Sequence, residues 1–216
     1  MWAIVPLKSP HLAKSRLAAV LSPDDRRAYF FELAQRAINA LKATRGVERV
    51  AVITADEEVA AFARRLGARV LQEAVEAGTA QAFASAIEQL RPHALRRVLM
   101  VAGDLPLVSS RALEVVVDAS TRHDVVIVPD RFRAGTNVLA CSPPDAIAPC
   151  FGPDSYSRHL AAARAAKRTH CTLSLDELAF DIDVPADLEH LRLQSRVAVE
   201  GLPVLRARLE PATTAA

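Results

Sequence analysis

The sequence predicts an α/β domain built on a mostly parallel sheet. Short β-branched runs alternate with longer segments rich in Ala, Leu, Arg and Glu, and helix-capping residues punctuate the longer segments. Length supports the same reading. A chain of 216 residues can bury roughly 70% of its extended surface in one core, so a single domain stands without disulfides or a structural metal.

In chain order, strands are predicted at Trp2 to Pro6, Val50 to Thr54, Ala68 to Gln72, Val98 to Gly103, Val125 to Pro129 and Asn137 to Ser142, with a weaker one around Thr172 to Leu175. Between them, Ser22-Pro23-Asp24-Asp25 opens a helix to about Lys42: a serine N-cap, a proline at the first helical position and acids at the positive dipole end. A second helix runs from Glu57 to Leu66 and ends at Gly67; a third runs from Thr79 to Arg91 and stops before Pro92. Further helices are expected over Arg111 to Thr121, Ser155 to Arg168 and Pro185 to about Ser195. The order is βαβαβαβαβ followed by a mixed tail, with no fixed-period repeat.

Composition excludes several classes. Lys and Arg total 27 against 25 Asp and Glu, so no global field draws the chain to nucleic acid or anionic lipid. No apolar run approaches the ~20 residues of a membrane helix. The start, Met1-Trp2-Ala3-Ile4-Val5-Pro6, has no basic leader or cleavage site, and Cys141, Cys150 and Cys171 form no CxxC pair. A cytoplasmic protein is therefore expected. There is no Walker A loop, no GxGxxG and no GxSxG elbow, which disfavours P-loop hydrolysis, dinucleotide redox chemistry and serine-hydrolase catalysis. The six histidines read as ordinary surface or helix residues, and Cys141 and Cys150 as packing residues.

Open α/β sheets bind ligands beyond the carboxyl ends of their strands, and four loops there carry unusual residues. The loop after the first strand holds Lys8, Lys14 and Arg16 with no acid, either a polyphosphate cradle or a solvated basic loop. Gly103-Asp104 ends a strand in a carboxylate that can hold Mg²⁺ or simply cap the turn before Pro106. In Ala179-Phe180-Asp181-Ile182-Asp183, an extended backbone puts Asp181 and Asp183 on one side. That pair wants a cation, unless Asp183 serves the following helix; Asp187 is read as a dipole partner. Thr136, Gly152 and Ser155 offer a hydroxyl and a helix N-terminus to an anion, or form an ordinary turn and N-cap. Together these groups point to metal-assisted phosphoryl or nucleotidyl transfer.

The motifs VPLKSPHLAKSRLA (5–18), LSPDDR (21–26), GDLPL (103–107), PDRFRAGTNVL (129–139), FGPDSYSRHLAAARAA (151–166) and AFDIDVPADL (179–188) resemble the CofC/FbiD guanylyltransferases of coenzyme F420 biosynthesis. Those enzymes activate 2-phospholactate, phosphoenolpyruvate or 3-phosphoglycerate. The strand-end motifs are shared with molybdopterin and sugar-phosphate nucleotidyltransferases, while the combination of AKSRL, GTN and FGPDSYSRHL is more specific. The likeness reaches about Leu193, giving a nucleotidyltransferase domain at 1–193 and a C-terminal extension at 194–216.

The resemblance implies a nucleotide-diphospho-sugar-transferase-like, Rossmann-like α/β/α sandwich that takes Mg²⁺ and GTP. It implies metal ligation by Asp104, Asp181 and Asp183, and acceptor binding by Lys14, Thr136, Gly152 and Ser155. Lys8 and Arg16 join Lys14 in neutralising phosphate charge, Asp104 serves catalysis as well as the metal, and Gly103 belongs to the nucleotide site. Family members carry Gly-Leu-Asn-Ala-Ala after the third strand. This chain reads Gly78-Thr79-Ala80-Gln81-Ala82, with Gln81 offering an amide one position on. The implied partners are a small phospho-acid and a downstream transferase of F420 assembly that takes the product, with a homodimer as the default assembly. Two alternatives stay open: a nucleotidyltransferase for a sugar phosphate or molybdopterin, and an inactive nucleotide-binding homologue.

Overall fold

A computed structural model describes residues 1–11, 14–73, 78–182 and 184–194. The strands are β1 (Trp2–Pro6), β2 (Arg49–Thr54), β3 (Arg69–Gln72), β4 (Val98–Val101), β5 (Val125–Pro129), β6 (Thr136–Cys141) and β7 (His170–Thr172). The helices are α1 (Pro23–Ala43), α2 (Glu57–Arg65), α3 (Thr79–Leu90), α4 (Ser110–Ala119), α5 (Ser155–Ala165), α6 (Asp176–Ala179) and α7 (Pro185–Gln194). The predicted elements are all present within a few residues. The short helix α6 was not predicted, and β7 begins two residues before the predicted strand.

The strands form one sheet in the order β3-β2-β1-β4-β6-β5-β7. β6 runs antiparallel to both β4 and β5, and every other pairing is parallel. Side chains alternate strictly across the sheet. Ala3, Val5, Val50, Val52, Leu99, Val101, Val126 and Val128 enter one core with α1, α2 and α4; Trp2, Ile4, Ala51, Ile53, Val98, Met100, Val125 and Ile127 enter the other with α3 and α5. Strands covered on both faces read as continuous apolar runs, which is why they were visible in the sequence. The result is the expected α/β/α sandwich on a mostly parallel, mixed sheet.

Capping behaves as the residue types dictate. The Ser22 hydroxyl accepts from Asp25 N–H at 3.1 Å and donates to the Asp25 carboxylate at 2.7 Å, a reciprocal cap on α1. Asp56 takes the N–H groups of Glu58 and Val59 at the start of α2. Among the described residues no helix is long and apolar enough to cross a membrane.

Strand polarity decides where the site lies. Because β6 is antiparallel, its first residues sit at the same edge as the last residues of β4: Ala102 N–H donates to Asn137 C=O at 2.9 Å. Thr136 and Gly103 are thereby brought to one edge, although 33 positions separate them in sequence.

Candidate active site

The chain leaves β1 in one direction toward β2 and returns to β4 on the other side, so the carboxyl ends of β1 and β4 flank a switch point where open sheets take ligands. A cleft of about 250 Å³ opens there, lined by Pro6, Leu7, Lys8 and Lys14 from the first loop, Ala102, Gly103 and Asp104 from the loop after β4, Phe30 and Leu33 of α1, and Thr79 of α3.

Gly103 sits tightly at this junction. A Cβ there would meet Leu7 Cδ2 at 2.5 Å and the Pro6 carbonyl at 3.3 Å, so a larger residue would push the Leu7 side chain aside and crowd the two loops.

Lys14 is the pivot of the charged side. Its backbone is left-handed, with φ 54° and ψ 33°, a conformation uncommon for a side-chain-bearing residue and frequent at functional sites. Its side chain is 7% exposed, and the ammonium donates to Asp104 Oδ2 at 2.8 Å and to the Ile182 carbonyl at 2.7 Å. One residue thus ties three loops together. The Asp104 carboxylate keeps 39% exposure toward solvent. Beneath it lies the buried phenol of Tyr29, pushed well above its usual pKa first by burial and then by the Asp104 charge.

Asp181 borders a second groove, of about 660 Å³, shared with Arg16, Asp130, Arg131, Phe132, Val184, Ala186 and Asp187. Lys8 and Lys14 line the first depression and Arg16 this second one, with Lys14 also reaching the Ile182 carbonyl beside Asp181. The backbone around Asp181 is extended as expected: Phe180 and Ile182 enter an apolar cluster with Leu17, Tyr29 and Leu33, which turns Asp181 the other way. Arg131 fastens this segment. Its N–H donates to Ala179 C=O at 2.9 Å, its guanidinium pairs with Asp187, and Phe132 and Phe180 each lie 4.6 Å from it. Asp187 is buried and also accepts from Val184 N–H at 2.9 Å; it does more than complement a helix dipole. Asp183 lies outside the described residues.

The GTN side is held differently. Asp130 takes the N–H groups of Phe132, Ala134 and Gly135, and a Cβ at Gly135 would meet its carboxylate at 2.8 Å. This fixes the approach to Thr136, whose N–H donates to Ser155 Oγ at 2.8 Å. The Thr136 hydroxyl lies 3.0 Å from His159 Nδ1, and His159 Nε2 accepts from Cys150 N–H at 2.7 Å. Gly152, with φ 119°, and Asp154, with φ 54°, shape the turn into α5.

His159 is fully buried. Burial, and then the Arg158 charge, pull its pKa down to about 4. It lies on a helix, as read, but its two ring contacts make it a structural hub rather than an ordinary residue. It falls inside the FGPDSYSRHL motif, and its place on the inner face of α5, four residues after Ser155, is the signal that sets it apart from a surface histidine.

At the third loop, Gly78 caps α3 with φ 96° and open space around it, so its backbone conformation is what calls for glycine. Thr79 follows and lines the cleft. Gln81 is exposed and sits two residues further on, about 200° around the helix. Thr79, not Gln81, faces the cleft, a point the sequence reading missed although a hydroxyl directly after a capping glycine signals it.

Among the described residues no three His, Cys, Asp or Glu side chains converge as a metal set. Mg²⁺ nonetheless commonly takes one or two protein carboxylates and completes its shell with substrate phosphates and water. The donors here are oxygens of that kind. An ammonium already sits between a carboxylate and a backbone carbonyl, so the position suits a cation and the residues fit such an ion in chemistry.

Comparison with known proteins gives a consistent picture. A family profile described as guanylyl transferase CofC like matches residues 1–215. The chain is 40% identical over 194 residues to the phosphoenolpyruvate guanylyltransferase of Sphaerobacter thermophilus, covering 88% of this chain and 91% of that protein. It is 32% identical over 211 residues to the 2-phospho-L-lactate guanylyltransferase of Methanothermobacter thermautotrophicus, covering 97% and 92%. In fold it is similar to a protein of Desulfovibrio desulfuricans G20 described as a nucleotide-diphospho-sugar transferase, with a TM-score of 0.77, 16% identity and coverage of 95% and 94%.

Proposed function

The chain belongs to the CofC-like guanylyl transferase family, and on that premise we propose that it transfers GMP from GTP to a small phosphorylated three-carbon acid, phosphoenolpyruvate foremost. Relatives at 36–40% identity are named for phosphoenolpyruvate, as are others down to 30%, and a relative named for 2-phospho-L-lactate stands at 32%. The observation that carries the reading is the Lys14 bridge to Asp104 and Ile182 beside the cleft at the β1/β4 switch point.

In this mechanism an oxygen of the acceptor's phosphate attacks the α-phosphorus of GTP. The bond to the β,γ-diphosphate breaks, pyrophosphate leaves, and a guanosine diphospho-linked acid remains. The attacking oxygen is already ionised at neutral pH, so no protein nucleophile or general base is required. Rate acceleration comes from alignment and charge neutralisation. Lys8 and Lys14 neutralise phosphate charge from the first cleft, and Arg16 reaches the reacting groups from the neighbouring groove. Thr136, Gly152 and Ser155 receive the acceptor's anionic end, while Gly78 and Thr79 border the nucleotide. Asp104 and Asp181, with Asp183, would hold Mg²⁺, which when bound offsets the charge of the phosphates and the leaving pyrophosphate. The product is an activated acid joined to guanosine through a diphosphate (phosphoanhydride) bridge, suited to a downstream transferase in coenzyme F420 assembly.

The test is Mg²⁺-dependent pyrophosphate release with GTP, ATP or CTP crossed against phosphoenolpyruvate, 2-phospholactate, 3-phosphoglycerate and a sugar 1-phosphate. Release with GTP and one small phospho-acid is expected. Release only with the sugar phosphate, or GTP binding with no release from any acceptor, overturns the proposal.

A further inference from the structure

The contacts of His159 carry an inference about how the acceptor side is oriented, and it rests on the anion-binding part of the proposed function. A backbone N–H can only donate, so the 2.7 Å contact from Cys150 makes His159 Nε2 an acceptor. The ring is buried at 0% exposure, with Phe151 set edge-on at 5.0 Å. A neutral imidazole with Nε2 accepting carries its proton on Nδ1. Among the described residues its hydrogen-bond partner is the Thr136 hydroxyl oxygen at 3.0 Å.

Thr136 Oγ1 is thus an acceptor from inside the protein, and its own proton must be given to something else. Ser155 Oγ likewise accepts, from Thr136 N–H. Among the described residues neither hydroxyl donates to a protein acceptor. Both lie at the edge where β6 begins beside Gly103. Each hydroxyl accepts once from the protein and keeps its own proton to give, which suits a ligand oxygen that only accepts, such as that of a phosphate or carboxylate.

We propose that His159 is a positioning residue: through the chain from Cys150 N–H to Nε2 and from Nδ1–H to Thr136 Oγ1, it fixes the Thr136 hydroxyl as a donor to the acceptor substrate's anionic oxygens. It touches no substrate itself. Arg158, next in sequence, points its guanidinium to the Phe151 carbonyl at 3.4 Å and takes no part in the relay.

The experiment compares H159F, which removes both ring nitrogens, with H159N, whose amide can return a donor near Nδ1. Steady-state kinetics give KM for phosphoenolpyruvate and for GTP separately, and calorimetry without GTP gives the Kd for phosphoenolpyruvate. H159F is expected to raise both phosphoenolpyruvate constants roughly tenfold, as for one lost hydrogen bond to a charged group, with the GTP KM and kcat within about twofold. H159N should recover most of the loss, and T136V should match H159F with no further loss when the two are combined.

Equal rises in both KM values, equal behaviour of H159F and H159N, or additive effects of H159F and T136V would mean a purely structural histidine and overturn the proposal. If H159F does not fold, T136V alone decides: an unchanged phosphoenolpyruvate Kd overturns it. If the wild type turns over no phospho-acid, the proposed function fails, and the relay is then read from inorganic phosphate binding. Weaker binding in H159F supports the relay, and equal binding rejects it.

Discussion

Around Lys14 and Asp104 the candidate site is charged and partly open, whereas around Thr136 and Ser155, at the same end of the sheet, it is neutral and closed. The first side joins three loops through one ammonium on a left-handed backbone. The second locks two segments through hydroxyls, backbone amides and one neutral imidazole. The solvent-open Asp104 carboxylate exchanges partners at modest cost when a cation arrives, while a buried neutral network resists change because an unmade hydrogen bond there is expensive. One side is thus built to respond to charge, and the other to be ready before the ligand comes.

The largest expected effect breaks the charged side. Asp104→Asn keeps the shape of the side chain and removes its charge, and should lower kcat roughly 10²–10³-fold, as for loss of a preorganised electrostatic group. The pair joins a carboxylate 39% exposed to a lysine side chain only 7% exposed, and Asn keeps an amide oxygen for that ammonium, so a thermal melt should show a downward shift while the protein stays folded. Wild-type turnover in this variant would remove Asp104 from the reaction.

Lys14→Met should come next. It keeps the aliphatic stem but withdraws the ammonium from Asp104 and Ile182, so the acceptor's KM should rise on the order of tenfold or more, as for a lost charge-assisted contact. An unchanged KM would assign the lysine to loop structure alone.

The neutral side is probed by pH. His159 titrates near 4 in the folded protein, against about 6.5 in an unfolded chain. Between these values the unfolded state binds a proton that the folded state refuses, so stability rises with pH through this window. The contribution is complete above pH 6.5 and is lost as pH falls toward 4, amounting to roughly 3 kcal/mol in all. Urea unfolding of the wild type and His159→Asn should therefore show a gap that narrows by about 2 kcal/mol between pH 7 and pH 5. A pH-independent gap would place the imidazole in a wetter setting than its burial indicates.

How far the sequence disclosed this arrangement follows from what each feature depends on. The strands were legible because both faces of the sheet are covered and the runs are short, apolar and β-branched. The cap at Ser22 was legible because its chemistry is local. Asp104 stood out as a carboxylate ending an apolar strand. What stayed hidden is contact across the fold: Lys14 reaching Ile182 across 168 positions, Arg131 pairing with Asp187, and His159 meeting Thr136. Each depends on the antiparallel insertion of β6 or on the docking of the 179–188 segment, and neither leaves a periodic trace.

The smallest expected effect concerns the third loop, where sequence spacing and helix geometry point to different residues. Thr79 and Gln81 are 200° apart on α3 at 100° per residue, and Ala82, Phe83, Ala86 and Leu90 commit the inner face of that helix to the core. Thr79 lines the cleft, while Gln81 is exposed on the first turn. Gln81→Ala should then leave the GTP KM within about twofold and alter stability by only a few tenths of a kcal/mol, since alanine is the better helix former. Thr79→Val removes a hydroxyl at the cleft and should raise the GTP KM severalfold, as expected for one hydrogen bond of about 1 kcal/mol. The reverse ranking would mean that bound nucleotide draws the amide of Gln81 around the helix end, and that the third loop, like the Lys14 side, rearranges on binding.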